Sequence, residues 1–397
     1  MSIVTLKFIF FISLFVVFYA YLGYGILLFF LVRIKRLIFG NKKEYDDEFL
    51  PEVTYMVAAF NEEDWIGEKI KNSFEFDYPK DKIKFFFVTD GSNDSTPQVV
   101  ENYPTPPGVD LQLFHSPERR GKIAAVERVM EFVKTPIVVY SDANTFVNKG
   151  AIRNIIRHYK DEKVGAVAGE KRIALDNARA ANAAGEGIYW KYESTLKKWD
   201  SEFYSVVGAA GELFSIRTKL FQPVSSDTII EDFVMTMTIA NNGYKVVYEP
   251  EARAVENASA SVSEELKRKI RIAAGGIQAI GRLAPMLLPF KNPILTFQYI
   301  SHRVLRWTLA PLALPILLIV NILLANEGIP FFKYMLWCQI AFYFMAFIGY
   351  ILEKRKMKFK AFFVPYYFCI MNYAMYRGFF RAIGGKQSVL WERAKRS

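Results

Sequence analysis

The residues with the clearest capacity for chemistry are an acid and an amide closing an apolar run, Ile137-Val138-Val139-Tyr140-Ser141-Asp142-Ala143-Asn144-Thr145. Strand side chains alternate faces, so Asp142 and Asn144 are expected to point the same way at the strand's carboxyl end, where open α/β sheets hold ligands. Two oxygen donors there suit a hard cation, Mg2+ or Mn2+, bridging to a phosphate. The competing reading is an ordinary turn. Similar clusters follow other short apolar runs. Phe60-Asn61-Glu62-Glu63-Asp64 places acids where a helix N-terminus favours them, unless Glu62 accepts hydrogen bonds from a ligand. Thr89-Asp90-Gly91-Ser92-Asn93-Asp94-Ser95-Thr96 reads as a turn in which Asp94 or Ser95 caps the next helix, an account with less need of Asp90. Arg120-Gly121-Lys122 opens a helix with cations, either a solvated pair or a seat for a diphosphate beside helix N–H groups. Glu231 and Asp232 read as a helix N-terminus or as functional acids. No G-x-G-x-x-G or Walker-type loop occurs, which sets aside dinucleotide and P-loop chemistry.

These clusters need a scaffold, and the pattern from Pro51 to about Ala260 supplies one. Short β-branched or aromatic runs alternate there with helical periodicity, as in a soluble α/β domain. Strands are expected at Val53–Ala58, Lys84–Thr89, Leu111–Phe114 and from Ile137, with helices at Glu63–Phe74 and Lys122–Val133. Strands separated by helices imply parallel pairing with right-handed crossovers.

The rest of the chain is apolar. Of 397 residues 52% are hydrophobic and 16% aromatic, more than one domain core needs. Phe8 to Val32 is nearly uninterrupted apolar sequence, about the length a bilayer core requires. A cleaved signal peptide is the alternative, disfavoured by the length and by Arg33, Lys35, Arg36, Lys42 and Lys43 close behind. Asn41 to Glu48 is a polar linker. The net charge of +11 points to anionic lipid headgroups and not to nucleic acid, because the cations crowd the edges of apolar segments. Cys338 and Cys369 lie in apolar runs and indicate neither a disulfide framework nor zinc. Ser263 to Phe290, interrupted by Gly275, Gly276 and Pro285, is expected to form amphipathic interfacial helices. His302 to Ala325 and Phe331 to Leu352 are two further spans, joined by an outside loop at Asn326 to Pro330. Arg303 and Arg306 would snorkel or meet a diphosphate. Ala361 to Tyr376 is short for a crossing and basic on both flanks, so an interfacial or re-entrant helix pair is expected. No buried acid or polar relay is expected in the membrane part, which argues against a transporter.

Together the spacings resemble the membrane-bound family 2 glycosyltransferases, inverting enzymes that include poly-N-acetylglucosamine, hyaluronan and cellulose synthases. The resemblance runs from about Val53 through Trp307. It implies a GT-A type cytosolic domain, a Rossmann-like mixed sheet, inserted between transmembrane and interfacial helices. Val57-Ala58-Ala59-Phe60-Asn61-Glu62-Glu63 looks like that family's first strand and nucleotide-binding turn, and Asp90-Gly91-Ser92-Asn93-Asp94-Ser95-Thr96 like its second, whose leading aspartate holds uracil. Gly121-Lys122 matches the Gly-Lys before a helix. Asp142-Ala143-Asn144 stands where the family has its metal-binding D-x-D, with Asn for the second Asp. Val207-Gly208-Ala209-Ala210-Gly211-Glu212 resembles the glycine-rich acceptor-side segment, and Glu231-Asp232 the E-D pair whose aspartate is the base. Arg268 and Arg271 fall where Q-x-x-R-W is expected, with Arg for Gln and Ile272 for Trp. Arg303-Val304-Leu305-Arg306-Trp307 matches those letters better but comes late, so spacing assigns the role to the earlier segment.

The resemblance thus implies a membrane-embedded enzyme passing a sugar from a UDP-sugar to a growing polysaccharide or a lipid-linked glycan. Asp232 and Glu231, with Arg268 and Arg271, would be catalytic. Ala59, Asn61, Glu62, Asp90, Lys122 and Asp142 would hold the nucleotide, Gly208, Gly211 and Glu212 the acceptor, and Asp142 and Asn144 a Mg2+ or Mn2+ ion. The expected organisation is a membrane helix with basic collar at 1–40, the enzyme domain at 50–260, interfacial helices at 261–300 and membrane helices with a basic tail at 301–397. A plasma-membrane location with the lobe in the cytoplasm, lipid contacts, and a dimer or partner subunits complete the expectation. A single-sugar transferase acting on a lipid carrier, and a non-catalytic nucleotide-sugar scaffold, are the rival readings.

Overall fold

The computed structural model describes residues 1–40, 46, 48–174, 180–257, 262–355, 357 and 359–385. Most of the expected linker, Lys42, Lys43, Lys356, Lys358 and the tail from Lys386 lie outside the described residues. The first helix runs as α1 (Ile3–Phe18), a π-helical turn (Tyr19–Gly23) and α2 (Tyr24–Phe39). The lobe follows: β1 (Val53–Ala59), α3 (Glu63–Phe74), β2 (Ile83–Asp90), α4 (Thr96–Glu101), β3 (Asp110–Ser116), α5 (Lys122–Met130), β4 (Ile137–Asp142), β5 (Thr145–Val147) and α6 (Ala151–Ile156). It continues with β6 (Val164–Ile173), α7 (Ala180–Phe203), β7 (Leu213–Arg217), α8 (Glu231–Asn241) and β8 (Lys245–Glu256). The last part is helical: α9 (Val262–Arg282), α10 (Pro293–Tyr299), α11 (Leu305–Trp307), α12 (Leu309–Asn326), α13 (Pro330–Lys354) and α14 (Lys360–Ile383).

One eight-stranded sheet has the order β3-β2-β1-β4-β7-β6-β8-β5. The β3-β2-β1-β4 half is parallel, as strands separated by helices require. Beyond β4 the sheet is mixed, since β7 pairs antiparallel to both β4 and β6 while β8 pairs parallel to β6. Every residue of β1 is buried, the mark of a strand covered on both faces. Its alternation sorts Met56 and Ala58 into one core with Phe86, Val88, Val138 and Tyr140. Tyr55 and Val57 join the opposite core with Phe85, Phe87, Ile137 and Val139. Each Val, Ile, Phe or Met side chain among them contributes roughly 1.5–3 kcal/mol by leaving water. The register aligns Ala58 with Asp142 and Ala59 with Thr89, so the polar strand ends gather on one edge.

Among the described residues three helices are long and apolar enough to cross a membrane: Ile3–Phe39, Leu309–Asn326 and Pro330–Lys354. α1 packs on α12 through Leu6 and Phe10 against Leu317, Val320 and Leu324. α2 instead lies on the lobe, with Tyr24, Leu28 and Val32 against Leu196 of α7. Part of the basic collar therefore serves docking and not headgroups. Lys35 donates to the carbonyls of Glu202 and Phe203 at the end of α7, and Arg36 pairs with Glu202.

Several expectations for the last third need correction. Gly275 and Gly276 do not interrupt the helix at 262–282, because their missing side chains make room for Ile229, Ile230 and the Trp307 ring. Residues 361–376 are not a helix pair but belong to the single 24-residue α14, which packs along α9 and α13. Gly378 lies so close to Ala273 and Ala274 that a Cβ there would overlap them. The span expected from His302 starts only at Leu309, because the chain breaks at Thr308 (φ −125°, ψ −82°).

Candidate active site

A cavity of about 670 Å3 lies where the lobe meets the helical part. Asp142 enters it from the end of β4, Lys122 from the start of α5, and Glu231 and Asp232 from the first turn of α8. Lys122 Nζ sits 2.9 Å from Asp142 Oδ1 and 3.0 Å from Glu231 Oε1. Burial works against its charge, but Asp142, Glu231 and Asp232 outweigh that and push its pKa up. The two acids of α8 then part company. Burial opposes ionisation of Glu231, yet Lys122 beside it holds its pKa below the usual value. Asp232 goes the other way: burial and the Glu231 charge raise it to about 7. Adjacent carboxylates thus titrate apart, the arrangement that leaves one of them able to accept a proton near neutral pH.

Arg268 and Arg271 reach the same cavity from α9. Arg268 bonds Glu265 Oε2 at 2.7 Å and lies 3.5 Å from Glu256. Arg271 Nη2 reaches the Ile229 carbonyl at 3.4 Å, and its buried Nε has no hydrogen-bond partner among the described residues. Of the two, Arg271 has more hydrogen-bonding capacity left for an anion. Gly208, Gly211 and Glu212 belong to the turn facing α8. Gly211 and Glu212 line the cavity, and Glu212 pairs with Lys171, which outweighs burial and pulls the acid's pKa down. Gly208 has φ +80°, and a Cβ there would overlap the Phe233 ring. Gly208→Ala is therefore expected to cost roughly 2–4 kcal/mol, left-handed strain plus overpacking. Gly211→Ala meets only ordinary contacts, so thermal melts of the two variants in detergent should differ by several degrees.

The expected nucleotide residues sit to one side. Ala59, Asp90, Gly121 and Lys122 line a small adjoining cleft, closed by Arg119 stacked on Phe60 at 3.8 Å. Asp90 has a structural duty after all: its Oδ2 accepts from the backbone N–H groups of Arg120 (2.9 Å) and Gly121 (2.6 Å). Asn61 adopts φ 52° and exchanges hydrogen bonds with Asn93 at 2.6 and 3.0 Å. Glu62 is buried at the start of α3 and lines neither cavity. Asp94, and not Ser95, accepts from the Thr96 N–H.

The shared face expected for Asp142 and Asn144 fails because β4 ends at Asp142 and the chain turns over Ala143 and Asn144. Asn144 is buried outside the cavity lining, and its Oδ1 lacks a hydrogen-bond partner among the described residues. The Asp142 carboxylate, which opens on the cavity, is therefore the oxygen donor available to a hard cation shared with a diphosphate, and the Asn144 amide is not. Among the described residues no group of three or more acid, imidazole or thiol side chains gathers as a self-sufficient metal site.

The later R-x-x-R-W segment also faces the cavity, which spacing alone had set aside. Arg303 and Arg306 do not snorkel; they pair with the buried Glu193 of α7 at 2.7 and 3.1 Å. Trp307 packs on Phe233 with ring centroids 5.2 Å apart. Nor is the junction with the long apolar helices free of buried acids. Asp200 of α7 accepts from Tyr24 of the first helix and from Gln298 (3.0 Å), and bonds His302. Sequence reasoning missed Glu193, Lys197 and Asp200, although their three- and four-residue spacing places them on one helix face.

Residues 54–224 match the family described as Glycosyl transferase family 2. This lobe is a family 2 glycosyltransferase domain. The poly-beta-1,6-N-acetyl-D-glucosamine synthase of Staphylococcus aureus is 26% identical over 267 residues, 65% of this chain. The match spans 62% of that relative's length. The probable glycosyltransferase YdaM of Bacillus subtilis is 23% identical over 334 residues, covering 80% of this chain and 78% of the relative. Among solved structures, the mannosyltransferase PcManGT from Pyrobaculum calidifontis, in complex with GDP-Man and Mn2+, superposes with a TM-score of 0.74 at 22% identity. It covers 96% of this chain and 99% of its own, so the glycosyltransferase lobe and the helices around it share one fold with that protein.

Proposed function

We propose that this chain is a membrane-anchored, inverting glycosyltransferase that moves a sugar from a nucleoside diphosphate donor to a hydroxyl of a glycan or lipid-linked acceptor. The observation that carries the reading is Asp232, a half-buried carboxylate poised near pH 7 in one cavity with Lys122, Asp142 and Arg271. Asp232 takes the acceptor's proton as its oxygen attacks the anomeric carbon. The bond from that carbon to the diphosphate breaks, and the nucleoside diphosphate leaves with the electron pair. Lys122 and Arg271 face that departing charge, and Arg271 offers the planar fork suited to phosphate. A Mg2+ or Mn2+ ion held by Asp142 would supply further neutralisation of the diphosphate. The Mn2+ in the mannosyltransferase of the same fold supports a divalent cation there, without assigning its ligands.

For the donor we infer a UDP-sugar, with Asp90 at the base. Its Oδ2 is spent on Arg120 and Gly121, and the residue lines the small cleft. Basic residues at the lobe end of the first helix, and Lys354 and Arg355 after α13, support a cytoplasmic lobe. Arg271→Ala is expected to slow turnover about a hundredfold, the ~3 kcal/mol typical of one transition-state donor, with the protein still folded. The decisive experiment is a screen of UDP- and GDP-sugars with Mn2+ in membranes, reading nucleoside diphosphate release and sizing the product. No release from any donor, with or without added acceptors, overturns the proposal.

A further inference from the structure

The cavity has two unlike ends. One holds the acids and cations described above; the other is walled by Leu22 of the first helix and Val364, Phe368, Met371 and Met375 of α14. Leu22 is 57% exposed and Val364 47% exposed, so residues that line the cavity also face the outside of the helical part. An apolar chamber open between two membrane-associated helices admits a hydrocarbon chain from the bilayer, whereas a water-soluble glycan gains nothing from such a wall. Tyr21 closes the gap on one side by donating to Asn372 Oδ1 at 2.6 Å.

Charge says what the head of that molecule is. Eight Lys and Arg side chains line the cavity against five Asp and Glu. Glu193 pairs with both Arg303 and Arg306. Lys197 lies one helical turn beyond Glu193 and is only 5% exposed. It lines the cavity and has neither hydrogen-bond nor ion-pair partner among the described residues; its Nζ lies 6.0 Å from the Trp190 ring, and Glu193 acts on it only through longer-range attraction. Burial lowers its pKa. A buried unpaired cation is costly unless an anion joins it.

We propose that the acceptor is a lipid-linked saccharide whose phosphate or diphosphate sits at Lys197, Arg303 and Arg306, with its hydrocarbon chain leaving between the first helix and α14. The inference rests on the glycosyl-transfer reading. The saccharide's hydroxyl gives its proton to Asp232 and its oxygen to the donor's anomeric carbon; the nucleoside diphosphate departs, and the lipid phosphate stays intact as an anchor.

The test uses the full chain in phosphatidylcholine nanodiscs and labelled farnesyl diphosphate as probe. The expected result is saturable binding that excess UDP and GDP do not displace, with farnesol and inorganic diphosphate at least tenfold weaker. Lys197→Gln and Leu22→Trp should each weaken binding about tenfold, and Lys197→Arg should restore it. Leu22 is exposed, so its variant keeps the fold if the lysine variant does not. Displacement by nucleotides, equal binding of farnesol, or binding untouched by both variants overturns the inference. So does Asp232-dependent transfer to a water-soluble glycan at rates unchanged in both variants, an outcome that leaves glycosyl transfer standing. Absence of Asp232-dependent nucleoside diphosphate release, with probe binding intact, instead overturns the glycosyl-transfer reading.

Discussion

Asp232→Asn is expected to lower turnover about a thousandfold or more, within the range of 10²–10⁴ that a positioned general base contributes. The substitution keeps the size of the side chain and removes only its capacity to take a proton. The pH profile carries the sharper statement. Asp232 titrates at about 7 because burial and Glu231 both disfavour its charge. The base is active when ionised, so kcat/KM should rise about tenfold per pH unit below 7 and level off above it. Glu231→Gln removes the charge that raises Asp232, so the rising limb should move to lower pH even though the maximal rate also suffers. Steady-state rates from pH 5 to 9 on the wild type and both variants decide the matter. A profile flat through pH 6, or an Asp232→Asn variant within tenfold of wild type, would show that the proton goes elsewhere.

Glu193→Ala is expected to cost about 3–5 kcal/mol of stability, the usual effect of deleting one partner from a buried ion pair. Glu193 is almost fully buried, with Arg303 at 2.7 Å, Arg306 at 3.1 Å and His302 at 3.4 Å. Burial opposes its charge, but Arg303 and His302 outweigh that and hold its pKa well below the ordinary value. A depressed carboxylate contributes its stability above the unfolded pKa of about 4.3 and loses it as pH falls through the folded value. At neutral pH the whole contribution is present, and the alanine variant should show a large drop in melting temperature in detergent. A drop no larger than that of a surface substitution would mean that the cations find water without reorganising the junction.

The first half of the sheet was legible because its strands are short apolar runs separated by amphipathic helices. Glu63–Phe74 was placed to the residue, and β1, β2 and β4 to within about two residues where they were delimited. Beyond β5 the signal fades. β6 reads Val-Gly-Ala-Val-Ala-Gly-Glu-Lys-Arg-Ile, small residues with weak alternation, and its order in the sheet depends on antiparallel pairing with β7 that no local pattern announces. Asp142, Lys122, Asp232 and Arg271 were legible as chemistry, and the structure brings all four to one cavity. Asn144 shows the limit of strand alternation, which holds only until the chain turns. Arg303 and Arg306 show a different limit. Arginines at the start of an apolar run are ordinarily solvated, and here Glu193, more than a hundred positions earlier, draws both inward.

Asp200 ties α7 to two distant stretches of the chain: Tyr24 from the first helix, and Gln298 and His302 from the segment before α12. Excising residues 50–260 as a water-soluble fragment would remove every one of those partners and leave the carboxylate seeking solvent. The enzyme lobe and its anchor are therefore one cooperative unit and not a catalytic head on a tether. During synthesis Tyr24 must wait for Asp200 until roughly the two-hundredth residue has emerged, and Asp200 for its remaining partners until roughly the three-hundredth.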